Sequence, residues 1–311
     1  FKLHTICDLD EKNLNAAKVL YPHINFVNDY REISDEVDIV SPIVPVEMHY
    51  PIANYFLDQN KHVLLTKPFT KTLEQTKKLL QKAEEKNLTA FADHTFIFNP
   101  AVRKLKEMLP QIGDPHLVMS SRLNLGLYQP DVNVIYDLMP HDLSIINYLF
   151  DEDIMEAKTT SFCAADFPQE DFAQTTLIFK NGMRAFVTAS WLSPYKIRDF
   201  IIIGSKGMLS YDDNSMGEKI KFYDKGVNLE DLTPNNTLKN YTTRINYKSG
   251  DLYSPAIEGG EALKLELDEL YRAINDQKVR DFYNHITLRT MNSLEMIIQS
   301  QENTKKLKKA G

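Results

Sequence analysis

At 311 residues, 43% apolar and 25% charged, the chain is long enough for a large core and for two domains. Its net charge of −7 argues against a dedicated nucleic-acid binder, and no apolar run approaches the roughly eighteen residues that a membrane span needs. The two cysteines, Cys7 and Cys163, lie far apart, which disfavours a disulfide framework and fits a reducing cytoplasm. None of the eight histidines shows metal-ligand spacing, so no structural metal is expected. The first residue is Phe1, with no charged-then-apolar signal behind it, and the chain is expected to begin inside a longer protein.

In chain order, residues 3–8 read as a short strand ending in the carboxylate of Asp8. A helix is expected from Asp10, where acidic residues favour a helix start. Strands follow at 24–27 and 37–44, a helix at 49–59, a strand at 61–65, a helix at 73–86 and a strand at 88–92. Strands alternating with helices predict a parallel sheet with crossover connections. In dinucleotide-binding folds an acidic residue ends the second strand, about 20 residues after a Gly-x-Gly-x-x-Gly turn. Asp8 suits that acidic position, but the first glycine of the chain is Gly113, so the phosphate-binding turn is missing. Close backbone approach to a pyrophosphate requires glycine.

The stretch Asp38-Ile39-Val40-Ser41-Pro42-Ile43-Val44-Pro45, with His49 after it and then Lys61-His62-Val63-Leu64-Leu65-Thr66-Lys67-Pro68, carries the first specific signal. It resembles the Gfo/Idh/MocA oxidoreductase family, in which a strand runs into a Thr/Ser-Pro-type turn and a later strand ends in Glu-Lys-Pro. Here Asn60 stands for the usual glycine and Thr66 for the glutamate. The resemblance implies cofactor contacts at Asp8, Ser41, Pro42, His49, Thr66 and Lys67. A lysine at the C-terminal end of a parallel strand points into the ligand crevice, where an ammonium steadies charge on a sugar oxygen.

The second signal is Tyr136-Asp137-Leu138-Met139-Pro140-His141-Asp142. On a helix, Asp137 and His141 stand one turn apart on one face, with Pro140 in the first turn. A carboxylate beside an imidazole orients it for proton transfer. The family's Asp-x-x-x-His pattern matches, so the resemblance makes Lys67, Asp137 and His141 the catalytic trio.

The resemblance extends to residues 94–102, which it implies mark the crossing into a second domain, with Asn99, Arg122 and Asn124 as candidate substrate contacts. Trp191 is read as core. Alternating strands at 175–179, 184–191, 198–203 and 207–211, with hairpin signals at Asn181-Gly182 and Ser205-Lys206-Gly207, predict a mainly antiparallel sheet. Residues 217–255 suggest strands on long loops, and amphipathic helices are expected at 261–275 and 286–308.

The expected fold is thus α/β: a Rossmann parallel sheet over 1–95, lacking its first strand and glycine loop, and an α/β domain with a large antiparallel sheet over 96–311. The resemblance implies hydride transfer between a pyranose hydroxyl carbon and a nicotinamide cofactor, within the nucleotide-sugar branch of the family. NAD is favoured over NADP, because Asp8 is followed by Leu9 with no adjacent arginine. A homodimer or homotetramer is expected through one face of the second sheet, with no nucleic-acid or membrane partner. The competing reading is a sugar-binding or scaffold homologue that has lost its cofactor.

Overall fold

The computed structural model describes residues 1–126, 132–164, 167–228 and 246–310. The chain forms two compact units: Phe1–Asp93 with Ala273–Asn284, and His94–Arg272 with His285–Gly311.

The first unit alternates strands and helices: β1 (Thr5–Cys7), α1 (Glu11–Leu20), β2 (Asn25–Val27), β3 (Ile39–Val40), α2 (Val46–Asp58), β4 (His62–Leu65), α3 (Leu73–Glu85) and β5 (Ala90–Ala92). Asp10 caps α1 by accepting the Lys12 N–H at 2.8 Å, and Thr72 caps α3 through the Gln75 N–H. All strand pairs here are parallel, and they fall into two sheets, β1-β2 and β3-β4-β5. Strand β5 is wholly buried, whereas β1 and β3 are only half-buried. Val63, Leu65, Phe69, Leu57 and Leu79 are fully buried and form the core that α2 and α3 cover.

The strand expected at 37–44 ends at Val40. Pro42 and Pro45 carry no N–H for a ladder, so the segment leaves the sheet as a turn instead. The helix after it starts at Val46, three residues before the expected His49.

The second unit is built on an eight-stranded sheet, and its elements begin with α4 (Pro100–Met108), β6 (Pro115–Leu125), α5 (Val134–Leu149), β7 (Ile154–Phe162), β8 (Phe172–Phe179), β9 (Arg184–Ser190), β10 (Leu192–Gly204) and β11 (Met208–Asp212). They continue with β12 (Ile220–Tyr223), β13 (Gly226–Asn228), β14 (Asn246–Lys248) and β15 (Leu252–Tyr253), and with α6 (Ala262–Asn275) up to Arg272 and α7 (Gln277–Ala310) from His285, the stretch between those two residues belonging to the first unit. The sheet order is β15-β12-β11-β10-β6-β9-β8-β7. Only β6 and β9 pair in parallel; the other pairs are antiparallel. Alternation turns Val118, Ala185, Val187 and Ala189 inward, all fully buried, along with Ile135, Met139 and Leu143 of α5. The small alanines of β9 let α5 lie close against the sheet.

Pro140 sits in the interior of α5, not in its first turn. A proline there withholds one helical N–H, and the helix runs on to Leu149 nonetheless because its buried face holds it. Strand β7 and helix α4 were not expected from the sequence. Of the stretch 217–255, where strands on long loops are expected, residues 229–245 lie outside the described residues.

Candidate active site

In the first unit, Lys67 follows the end of β4 and is half-buried, and the Lys67–Pro68 peptide is cis. The chain after it is firmly seated. Phe69 and Thr70 are fully buried, and the Thr70 hydroxyl lies 2.6 Å from that of Thr76 while donating to the Thr72 carbonyl at 2.8 Å. His49 is 1% exposed. Its Nδ1 lies 3.1 Å from the Pro68 carbonyl oxygen, and its Nε2 lies 3.0 Å from that of Val44 and 3.3 Å from the Thr66 hydroxyl. The imidazole therefore stitches the turn after β3 to the loop after β4, and its visible partners are backbone carbonyls and Thr66. Ser41 is exposed at the head of that turn, and Pro42 is buried behind it.

Asp8 stands half-buried just beyond β1. Its oxygens accept the Asp10 N–H at 2.8 Å and the Asn13 amide at 3.0 Å. These two bonds, the backbone one foremost, hold its carboxyl below the usual range, so it is an ionised acceptor at neutral pH. A carboxylate has about four lone-pair sites, so two donors leave room for ribose hydroxyls. The fit to a dinucleotide is therefore good at the ribose end. No glycine of this chain precedes Gly113, so nothing in the first unit suits a pyrophosphate.

In the second unit, Asn133 caps α5 by accepting the Tyr136 N–H at 3.2 Å, and its amide donates to Glu170 at 3.0 Å. Asp137 lies in the first turn, where the helix N-terminus favours negative charge, and His141 follows one turn later; both are half-buried. The Phe96 ring meets the His141 ring edge to face at 4.9 Å. Two guanidinium groups also lie against Phe96, Arg122 at 4.3 Å and Arg198 at 5.5 Å from the ring centre.

Each arginine has its own carboxylate. Arg122 is 3% exposed and donates to Asp142 through Nε and Nη2, the shortest bond being 2.8 Å. Arg198 donates to Asp213 at 3.1 Å, and Asp213 also accepts the Tyr211 hydroxyl at 2.9 Å. Burial alone would raise the Asp213 carboxyl, but Tyr211, Arg198 and Lys219 outweigh it and hold the group below the usual range. Burial, with Asp213 alongside, pushes the Tyr211 phenol well up. Asn99 joins this cluster, its amide 3.4 Å from Tyr211 and Asp213 while its oxygen caps α4 on the Ala101 N–H at 2.9 Å. Asn124 is half-buried near the end of β6 and shares the strand parity of Arg122.

The structure thus places Asp137, His141, Arg122 and Asn99 in the second unit, and Asp8, Ser41, Pro42, His49, Thr66 and Lys67 in the first, where His49 and Thr66 meet while Asp8 bonds Asp10 and Asn13. Four neighbours escaped sequence reasoning: Phe96, Asp142, Arg198 and Trp191. Asp142 adjoins His141 within the quoted motif, and its adjacency was the available signal. Trp191 is 3% exposed, as a core residue would be, yet its indole N–H donates to Asp137 at 3.0 Å.

A family model described as oxidoreductase family, NAD-binding Rossmann fold, matches residues 1–94. The GFO/IDH/MocA C-terminal domain matches residues 102–210. A UDP-N-acetylglucosamine 3-dehydrogenase of Acidithiobacillus ferrooxidans is 29% identical over 158 residues, which are 50% of this chain and 49% of that protein. An inositol 2-dehydrogenase of Salmonella typhimurium is 25% identical over 182 residues, 55% of this chain and 52% of that one. The aligned stretch thus spans about half the length of these curated relatives. Among solved structures, the A. ferrooxidans UDP-N-acetylglucosamine 3-dehydrogenase superposes with a TM-score of 0.77 at 20% identity, covering 97% of this chain and 90% of that one. GenD2 from gentamicin A biosynthesis, solved with NAD, gives 0.75 at 16% identity, covering 97% and 87%. These two likenesses show a shared fold. With both of its characteristic domains matched in order along the sequence, the chain belongs to the Gfo/Idh/MocA oxidoreductase family.

Proposed function

We propose that the chain acts as an NAD-dependent sugar dehydrogenase on a hydroxyl of a pyranose, within the nucleotide-sugar class. The observation that carries this reading is the second unit's cluster, in which a helix-borne carboxylate and imidazole share a face beside Phe96 and a buried arginine. NAD, when bound, supplies the hydride acceptor. Asp8 would hold its adenine ribose, and the turn at Ser41 and Pro42 with Thr66 would lie along the nicotinamide side. His141 takes the proton from the substrate hydroxyl, Asp137 orients the imidazole, and Lys67 steadies the oxygen as charge develops on it. Asn99, Arg122 and Asn124 are assigned to the substrate side, Arg122 acting through Asp142 because its guanidinium is buried. The two free cysteines suit a reducing cytoplasm.

A homodimer or homotetramer is proposed through the outward face of the large sheet. There Phe186, Met119 and Ile201 lie in register on three adjacent strands, and Met119 is 45% exposed.

The test is formation of NADH from UDP-sugars and free polyols with NAD in large excess, comparing the chain with His141→Asn. Loss of turnover with substrate binding retained is expected; undiminished turnover sinks the assignment. The absence of glycine before Gly113 favours a second reading, a sugar-binding homologue without redox chemistry. Binding of a UDP-sugar with no NADH formed at any NAD concentration decides for it.

A further inference from the structure

Trp191 lies at the junction of two strands, β9 ending at Ser190 and β10 beginning at Leu192. Its backbone is fixed on both sides: its N–H donates to the Asp171 carbonyl at 2.9 Å, and its carbonyl accepts the Gly126 N–H at 3.2 Å. Gly126 also makes room for the indole. A Cβ at that position would stand 2.3 Å from Trp191 Cδ1 and 2.6 Å from Cγ, far inside contact distance. Held this way, the indole aims its N–H at Oδ2 of Asp137, 3.0 Å away. The donor belongs to the sheet and the acceptor to the first turn of α5, so a single hydrogen bond ties the carboxylate to a rigid element.

We propose that Trp191 is the positioning residue of Asp137, its indole N–H fixing the carboxylate that orients His141, with Gly126 as the space that permits this. The kinetic side rests on the proposed dehydrogenase reading; the hydrogen bond does not. An indole is suited to the task. It offers one donor and no acceptor, so it pairs with the carboxylate and cannot invert its role. Its stiff, buried ring has little freedom to lose.

Trp191 is the single tryptophan of the chain, so emission excited at the red edge of the absorption comes from this indole and reports its surroundings, the Asp137 carboxylate among them. Excited indole shifts electron density away from the pyrrole ring, a state that a carboxylate at Nε1 stabilises. Asp137→Asn should therefore move the emission maximum to shorter wavelength. Gly126→Ala should also change the spectrum, because it displaces the indole. Unchanged spectra in both variants, with the far-ultraviolet circular dichroism intact, would overturn the proposal.

In turnover assays, Trp191→Phe should lower kcat roughly tenfold, the worth of one bond to a charged group, with KM within about twofold. In the Asp137→Asn background the same change should cost little more, since the bond is already altered. Equal losses in both backgrounds would show a packing role only and also overturn the proposal. Were the unsubstituted chain to show no turnover, the dehydrogenase reading would fail by itself, and the spectra would still decide whether Trp191 holds Asp137.

Discussion

Arg122 on β6 grips Asp142 on α5 through two nitrogens, with side chains only 4% and 5% exposed, and so anchors the helix at the residue next to His141. Removing one member of such a pair strands a buried charge, which typically costs about 3–5 kcal/mol. Arg122→Met should therefore lower unfolding stability by about that amount in urea titrations. Arg122→Met with Asp142→Leu should recover much of it, because replacing both charges by apolar groups is often neutral. If the double variant is no more stable than the single one, the pair contributes more than mutual compensation.

Arg198 stands directly opposite Arg122 in the β10–β6 register. Like charges facing each other across strands are unfavourable, and here each is offset by its own aspartate and by the Phe96 ring that both approach. Nη1 of Arg122 and Nε of Arg198 are buried without hydrogen-bond partners among the described residues, so the ring face is their remaining compensation. Phe96→Leu keeps apolar bulk and loses the π face. It should destabilise the chain by about 1–2 kcal/mol in thermal or urea melts. No change in stability would show that the two aspartates suffice.

The parallel first unit was legible because period-2 strands, helix caps and short connections are all local signals. So were the antiparallel hairpins β8–β9 and β10–β11, which Asn181-Gly182 and Ser205-Lys206-Gly207 mark. Lys67, Asp137 and His141 stand out as candidates in the sequence because they sit in short motifs. The partnerships around them were not, because they are set by strand register. Nothing in the sequence says that Arg122 will face Arg198, or that the strand junction at Trp191 brings its indole to Asp137. Pro140 misled for a related reason. Local propensity places a proline in a first turn, but the buried face of α5 overrides it and carries the helix past.

His62, at the start of β4, accepts the Thr89 N–H on Nδ1 at 2.9 Å. Burial first, and Arg280 second, hold its pKa below the ordinary 6.5, against the pull of Asp38. The native state therefore keeps this ring neutral where the unfolded chain would already bind a proton. Its contribution to stability is complete above pH 6.5 and is lost as pH falls through the depressed value. Melting temperature should drop on going from about pH 7.5 to about pH 5.5. In His62→Asn, whose side-chain oxygen can also accept from Thr89, that slope should flatten. An equal slope in both proteins would assign the acid sensitivity to other groups.

Asp8 bears on which cofactor the chain prefers and how tightly it binds. Its carboxylate is ionised through neutral pH and already oriented by Asp10 and Asn13, so it suits a free 2′-hydroxyl and repels a 2′-phosphate. The grip on the pyrophosphate is a separate contribution, which here lacks glycine. The two effects lead to different measurements. Absolute affinity for NAD should be poor, with a Kd weaker than about 1 mM in calorimetric titration of the chain. The ratio of the two affinities should still favour NAD, and Asp8→Ala should narrow that preference roughly tenfold by relieving like-charge repulsion. Tight binding of NAD would show that the chain cradles the pyrophosphate without glycine, whereas equal affinities for NAD and NADP in the unsubstituted chain would remove Asp8 from the ribose.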